Sequence, residues 1–373
     1  MNPVPRLEAA EIHVVRLPLV SPFTTSFGTQ THKEAVLVCL RSDGTTGWGE
    51  STAMPDPFYS YETNTTVCQV LRLYLLPVLL AATDLTPMDA PHLFRRVRGH
   101  PMAKAAAENA LWDLWARRND VPLFAALGGM ARRIPSGISI GLQDSPERLL
   151  AAVADACAAG YHRVKIKIKR GQDEALVREV RRSFPALPLM VDANADYTPA
   201  DFPLLQRLDD FNLMMMEQPL AEGDLFQHAR LQARLRTPVC LDESIGTLSD
   251  AEAAHALGSC RVINIKQGRV GGLQAARAIA AFGLGHGLDV WSGGMLETGI
   301  GRAVNLHLQT LPGFSLPGDT SATARYFGED IVDRPVELDA DGFIGIPPGP
   351  GSGVAIVPDR LRRFCVGHEV ITP

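Results

Sequence analysis

Lys165-Ile166-Lys167-Ile168-Lys169 is the stretch on which the fold turns. Its period of two predicts a strand with the lysines on one face and the isoleucines on the other. The isoleucines suit a face packed against helices. The lysines then point into whatever the sheet encloses, where clustered ammonium groups are costly unless they are used. A solvated edge-strand face is the plainer alternative. The run is not isolated. Further β-rich runs are centred near Ile138, Ile166, Val191, Met215, Leu241, Ile263, Val290 and Leu316, at steps of 22 to 28 residues with helix-length segments between them. That rhythm predicts parallel βαβ units, and eight of them close into a (β/α)8-type barrel; an open doubly wound sheet is the alternative.

Outward from this region the texture changes on both sides. Residues 1–130 read as a small α+β capping unit. Apolar runs at Glu11–Leu19 and Ala35–Leu40 predict strands, with a Ser-, Thr- and Gly-rich loop at Ser21–His32 between them. Asp43-Gly44 marks a turn, and Met102–Arg118 carries helical spacing with Trp112 and Trp115 on its core side. Residues 131–320 hold the barrel. Residues 321–373 are Pro- and Gly-rich and are expected to pack back on the cap.

The 373 residues are 46% hydrophobic and 21% charged, enough for a sizeable core and too apolar for wholesale disorder. The net charge of −5 and the lack of a basic run argue against nucleic-acid binding. The 11 uncharged residues from Leu73 to Thr83 fall short of the about 20 that span a bilayer. Arg6, Glu8, Glu11 and Arg16 interrupt any signal-peptide core. The six cysteines form no CxxC pair and read as buried thiols of a cytoplasmic protein. Gly283, Gly285 and Gly287 precede a strand instead of following one, which favours a turn over a nucleotide loop.

Five ionisable groups fall at the C-terminal ends of consecutive predicted strands: Lys167, Asp192, Glu217, Asp242 and Lys266, spaced 25, 25, 25 and 24 apart. In a barrel those ends form one face, so the groups converge. Three converging carboxylates repel one another, and an all-oxygen set of this kind suits a hard cation such as Mg²⁺. Asn264 and Lys266 share the inner face of their strand. Lysine repulsion and a nearby cation are expected to lower the lysine pKa values, which would supply a neutral amine as base. Lys167 and Lys266, on the second and sixth strands, face each other across the barrel.

With these elements in place the chain resembles the enolase superfamily, in its muconate-lactonising subgroup. The resemblance rests on Lys165-x-Lys167, Asp192-x-Asn194, Glu217-Gln218-Pro219, Asp242-Glu243-Ser244 and Lys266, in the family's order. It implies a modified (β/α)7β TIM barrel with an α+β capping domain built from both termini. It implies Mg²⁺, or Mn²⁺ in its place, on Asp192, Glu217 and Asp242, with Lys167 and Lys266 as the acid/base pair and Lys165 or Lys169 tuning Lys167. Within the subgroup the chain is most similar to the N-succinylamino acid racemase/o-succinylbenzoate synthase family, through Ser21-Pro22-Phe23 with Ser26-Phe27-Gly28, Gly293 to Arg302, and Pro317 to Ser321. Arg269, Asn194, Phe23, Ser26, Phe27, Gly293, Met295 and Glu297 are the expected substrate-side residues; the resemblance implies that Arg269 tunes Lys266, with a surface salt bridge as the alternative, and for Phe23 and Phe27 plain packing is the alternative.

The resemblance implies a small-molecule carboxylate as substrate, a cytoplasmic homo-oligomer (dimer or octamer), and either dehydration or racemisation by α-proton abstraction. Muconate cycloisomerase and dipeptide epimerase are the rivals within the superfamily, and a non-catalytic barrel scaffold is the rival outside it. Pro317-Gly318-Asp319 offers one acid where the epimerases show an Asp-x-Asp pair, which counts against them.

Overall fold

In a computed structural model, residues 2–25, 28–130, 132–171 and 173–373 are described. The expected substrate-side residues Ser26 and Phe27 lie outside them. The cap begins with three antiparallel strands, β1 (Ala9–Thr25), β2 (Gly28–Ser42) and β3 (Thr45–Ser51). The expected turn at Asp43-Gly44 joins the last two. The expected loop at Ser21–His32 is instead a continuation of the hairpin. Phe23 pairs with Gln30 and Thr24 with Thr29 after a register shift beyond Pro18, so ladder pairing holds this Ser/Thr-rich segment extended.

Helix α1 (Pro101–Arg118) crosses the sheet, and most of its residues are buried. It lies directly on β3 because Gly47 and Gly49 present no side chain. A Cβ at Gly47 would fall on the backbone of Leu114, and one at Gly49 on that of Ala106 and Ala110. Trp112 and Trp115 are both buried, as expected.

The second body is a curled parallel sheet of seven strands in sequential order: β4 (Gly137–Ile140), β5 (Arg163–Lys167), β6 (Leu189–Asp192), β7 (Met216–Glu217), β8 (Val239–Leu241), β9 (Val262–Ile265) and β10 (Asp289–Ser292). Helices lie between the strands. Their starts follow from local chemistry: Ser145 caps the one at Pro146–Ala158, and Thr247 with Asp250 forms a capping box on the one at Leu248–Leu257. Gly283, Gly285 and Gly287 fall at the end of the helix Leu273–Gly285 and in the turn before β10, as read.

The eighth strand expected near Leu316 does not form. Two isolated parallel bridges, Val290 to Phe314 and Ser136 to Gly318, stand in its place and reach both edges of the sheet. Pro312 and Pro317 restrict the backbone there and cannot donate to a ladder, and Gly313 turns the chain out of the extended form at a φ of 105°. Inside the sheet Met190, Met215, Cys240, Val262 and Trp291 form a floor. The C-terminal segment ends in β11 (Cys365–Ile371), antiparallel to β1, so the tail does return to the cap. Cys39, Cys240 and Cys260 are buried free thiols, whereas Cys157 is exposed, against the expectation of uniform burial.

Candidate active site

The period-two reading of the lysine strand holds for two of its three lysines. Ile166 packs in the main core, while Lys165 and Lys167 point into the barrel. Lys169 lies beyond the strand end and is exposed, so Lys165 is the lysine placed to act on the site. Lys165 Nζ stands 2.8 Å from Asp319 Oδ2, 3.0 Å from Glu217 Oε2 and 3.4 Å from Asp192 Oδ2, above the Trp291 ring. Lys167 Nζ donates to Asp192 Oδ2 and to Asn194 Oδ1, each at 2.6 Å.

Lys266 follows β9 directly. Its Nζ donates to Asp242 Oδ2 at 2.7 Å and to the Tyr59 hydroxyl at 3.0 Å. Gly293 backs it: a Cβ there would fall on the Asn264 carboxamide and the Lys266 Cε. Four non-glycine residues just past strand ends, Asn194, Ala195, Gln218 and Leu296, hold left-handed backbone at φ of 42°, 61°, 38° and 57°. Such costly conformations persist where surrounding structure enforces them. At Gln218 it does: the side-chain oxygen accepts from Asp242 N and Ser244 N, and its amide donates to Ser244 Oγ at 2.7 Å.

The carboxylates differ in character. Asp192, Glu217 and Asp242 are all buried. Burial, then the negative charge of Asp192, pushes Glu217 up to about 7. Burial also acts on Asp192, but Lys167 and Lys165 outweigh it and hold that acid below its usual range. Glu243, buried and beside Asp242, rises to about 8.

The expectation that repulsion lowers the lysine pKa values is reversed for two of them. Burial pulls Lys165 down, but Asp319, Glu217 and Asp192 more than restore it, well above the ordinary lysine range. At Lys266 burial is likewise outweighed by Asp242 and Tyr59, and the net shift is upward. The carboxylates lie closer to each ammonium than the other lysines do, so attraction wins over repulsion.

Three buried carboxylates with mutually unfavourable charge, and no His or Cys among them, fit a hard divalent cation by donor chemistry. Here they are engaged elsewhere: Glu217 by Lys165 and Asn264, Asp242 by Lys266 and Arg269. A group of three or more potential ligands with all its atoms within 4.8 Å occurs, among the described residues, at Glu11, His13 and His368 instead.

Lys165, Lys167, Lys266, Asp192 and Asn194 line one pocket, enclosing about 820 Å³ of non-atom space with its open mouth included. Of the expected substrate-side residues, Phe23, Met295 and Glu297 line it as well. Gly293 does not; it supports Lys266 from behind. Arg269 does not line it either. It is buried and grips Asp242, while its Nη2 donates to the Asn264 carbonyl at 2.6 Å. Burial excludes the surface salt bridge for Arg269, and the engaged guanidinium explains why it is not at the pocket wall.

Several wall residues escaped sequence reading as site residues, among them Lys33, Tyr59, Arg302 and Asp319. Asp319 was visible only as the acid of a Pro-Gly-Asp stretch. Lys33 sits inside a cap strand and donates to the Met295 carbonyl at 3.0 Å. Arg302 is buried, and its Nε and Nη2 have no hydrogen-bond partner among the described residues. Tyr59 comes from irregular chain with no periodic signal.

The sequence matches two family descriptions, "Mandelate racemase / muconate lactonizing enzyme, N-terminal domain" over residues 9–128 and "Enolase C-terminal domain-like" over residues 148–360. It is 48% identical to an o-succinylbenzoate synthase of Geobacillus kaustophilus over 359 residues, 96% of each chain. It is 45% identical to an N-succinylamino acid racemase of an Amycolatopsis species, over 95% of this chain and 96% of that one. A chloromuconate cycloisomerase of Pseudomonas putida is more distant, at 28% identity. Among solved structures, an enolase superfamily member from Listeria innocua superposes with a TM-score of 0.95 at 40% identity, covering 98% of this chain and 99% of that one.

Proposed function

The chain belongs to the enolase superfamily, within its mandelate racemase/muconate lactonizing group, and from that premise we propose that it acts on a succinylated carboxylic acid by abstracting the α-proton. Two outcomes share that step: dehydration to o-succinylbenzoate and racemisation of an N-succinylamino acid. The observation that carries the proposal is the convergence of Lys167 and Lys266, from the second and sixth strands of the sheet, on one pocket above Asp192.

In racemisation one lysine takes the α-proton as a neutral amine, and the ammonium of the other returns a proton to the opposite face. In dehydration the base takes the α-proton, and the β-hydroxyl leaves as water with a proton from that same lysine. Asn194 positions Lys167, and Tyr59 positions Lys266. Phe23 and Tyr326 pack edge to face over the mouth and exclude water.

The residues that would hold a divalent cation, Mg²⁺ in our reading, are Asp192, Glu217 and Asp242. When bound, such an ion supplies positive charge against the enediolate form of the substrate and relieves the attraction that keeps the lysines protonated. Arg302, a pocket-wall residue whose Nε and Nη2 have no hydrogen-bond partner among the described residues, is the group we assign to the second carboxylate of the succinyl arm.

We further place the protein in the cytoplasm as an even-numbered homo-oligomer. Among the described residues, no helix is long and apolar enough to cross a membrane. The deciding experiment is proton NMR of N-succinyl-L-phenylalanine with the protein and Mg²⁺ in D₂O. Loss of the α-proton signal together with optical rotation supports two-base racemisation. An unchanged signal, with metal shown to be bound, removes racemisation and leaves dehydration to be assayed.

A further inference from the structure

On the cap, remote in sequence from the barrel carboxylates, Glu11, His13 and His368 meet across two strands. Glu11 and His13 are two apart on β1 and so share a face. His368, on β11, is the cross-strand partner of His13. The two imidazoles stack with centroids 4.3 Å apart and planes 18° apart. Both Nε2 atoms converge on the same oxygen, Glu11 Oε2, at 3.0 Å from His13 and 3.1 Å from His368. The other oxygen of Glu11 accepts from Arg41 of β2, which fixes the carboxylate plane. One ligand atom from each of the three residues lies within 4.8 Å of the other two.

Two imidazoles can both donate to one oxygen only if each carries a proton on Nε2. Each then points the same N–H at the same acceptor, beside a stacked ring that gains positive charge if either imidazole is protonated. The ligand spacing is already close to what a metal needs. Two ligands about 2.0–2.1 Å from a tetrahedral zinc ion are about 3.4 Å apart.

Two imidazoles and one carboxylate suit borderline cations such as Zn²⁺, Co²⁺ or Ni²⁺, whereas Mg²⁺ and Ca²⁺ prefer all-oxygen sets. Three protein ligands leave one position open. Beside them lies an open surface cavity of about 850 Å³, its mouth included, whose wall includes Glu11, His13 and Trp48, so water or a small anion has room to complete the set. His368 is half exposed and leaves an entry path.

We propose that Glu11, His13 and His368 form a second metal site, for a borderline divalent cation such as Zn²⁺, that ties the last strand of the chain to the first strand of the cap sheet. The site is chemically distinct from the barrel carboxylates, and it does not depend on the reaction proposed above.

The test uses the full chain without an affinity tag, held in saturating Mg²⁺ so that the barrel carboxylates are occupied, and dialysed against Zn²⁺ with metal analysis. One zinc equivalent per chain is expected in the wild type, with a raised unfolding midpoint. Both effects should vanish in His368→Gln while Mg²⁺-dependent turnover stays unchanged. His13→Gln should give the same loss, and His368→Gln carries the test alone if the buried substitution impairs folding. The Cu²⁺-loaded wild type should show nitrogen hyperfine coupling by EPR that disappears in His368→Gln. Zinc retained in His368→Gln, or no zinc bound by the wild type, would overturn the proposal.

Discussion

Glu50 and Thr298 join the cap to the barrel: Thr298 Oγ1 donates to Glu50 Oε2 at 2.6 Å, and Thr298 N donates to Oε1 at 3.0 Å. Gly301 N adds a third bond at 3.0 Å, so a carboxylate at the end of β3 caps the helix Gly299–Leu308 from another part of the chain. A cap of this kind satisfies N–H groups that the helix itself leaves open. Replacing Glu50 with Ala orphans them in a buried place and should cost about 2 kcal/mol in urea unfolding. A loss under half that would mean that water substitutes for the carboxylate.

The same residue sets a pH dependence. Burial lifts Glu50 from 4.5 to about 7, despite the opposing charge of Lys33. The folded state thus holds this proton more tightly than the unfolded chain does. Its contribution to stability is fully present below about 4.5 and declines as pH rises to about 7. The stability difference between wild type and Glu50→Gln should therefore move in favour of the variant across that window, by up to about 3 kcal/mol. A difference independent of pH would contradict the lifted pKa. Glu108, also raised to about 7, is left intact in both proteins and cancels in the comparison.

Lys167→Ala and Lys266→Ala should each lower racemisation by about 10²–10⁴-fold. The two variants should differ in kind. Each should retain α-proton exchange with solvent for one enantiomer, the one whose proton faces the remaining lysine. Single-enantiomer NMR in D₂O reads this directly. Full exchange of both enantiomers in Lys167→Ala would remove Lys167 from its proposed role.

Chelation should abolish turnover, and Mg²⁺ or Mn²⁺ should restore it. Asp192→Asn, Glu217→Gln and Asp242→Asn should each weaken metal binding in calorimetry, because each removes a negative charge from the proposed set of three oxygen ligands. An Asp242→Asn protein that binds Mg²⁺ with wild-type affinity would exclude that residue from the set.

Arg302→Met should raise KM for a succinylated substrate by about 10- to 100-fold, the worth of a charge-assisted hydrogen bond of about 1.5–3 kcal/mol. The N-acetyl analogue, which lacks the second carboxylate, should be nearly indifferent to the change. Equal losses for both substrates would show that Arg302 supports the fold and does not read the succinyl arm.

The barrel was legible because two periods coincide in the sequence. Alternation at Lys165 to Lys167 sets the inner face, and the step of about 25 residues brings Asp192, Glu217 and Asp242 to equivalent strand ends. What escaped has a common cause. Lys33, Tyr59 and Arg302 reach the pocket from a cap strand, an irregular segment and a helix, where no repeat relates them to the barrel strands. The direction of the lysine shifts escaped because it depends on distances of about 3 Å to specific carboxylates, which spacing does not encode. The missing eighth strand is a case of two prolines, Pro312 and Pro317, and a left-handed Gly313 overriding a periodic pattern.

The pocket draws its proton-handling groups from the sheet and much of its lid from the cap, through Phe23, Thr25, Gln30 and Met54. The lid residues sit on a hairpin and a connecting segment that carry none of the acid/base groups. Part of the selectivity is therefore written apart from the proposed proton chemistry, while Arg302, assigned above to the succinyl carboxylate, stays on the helix Gly299–Leu308. A lineage, or an engineer, can exchange the lid to reshape the pocket mouth while inheriting both the proton chemistry and the Arg302 contact.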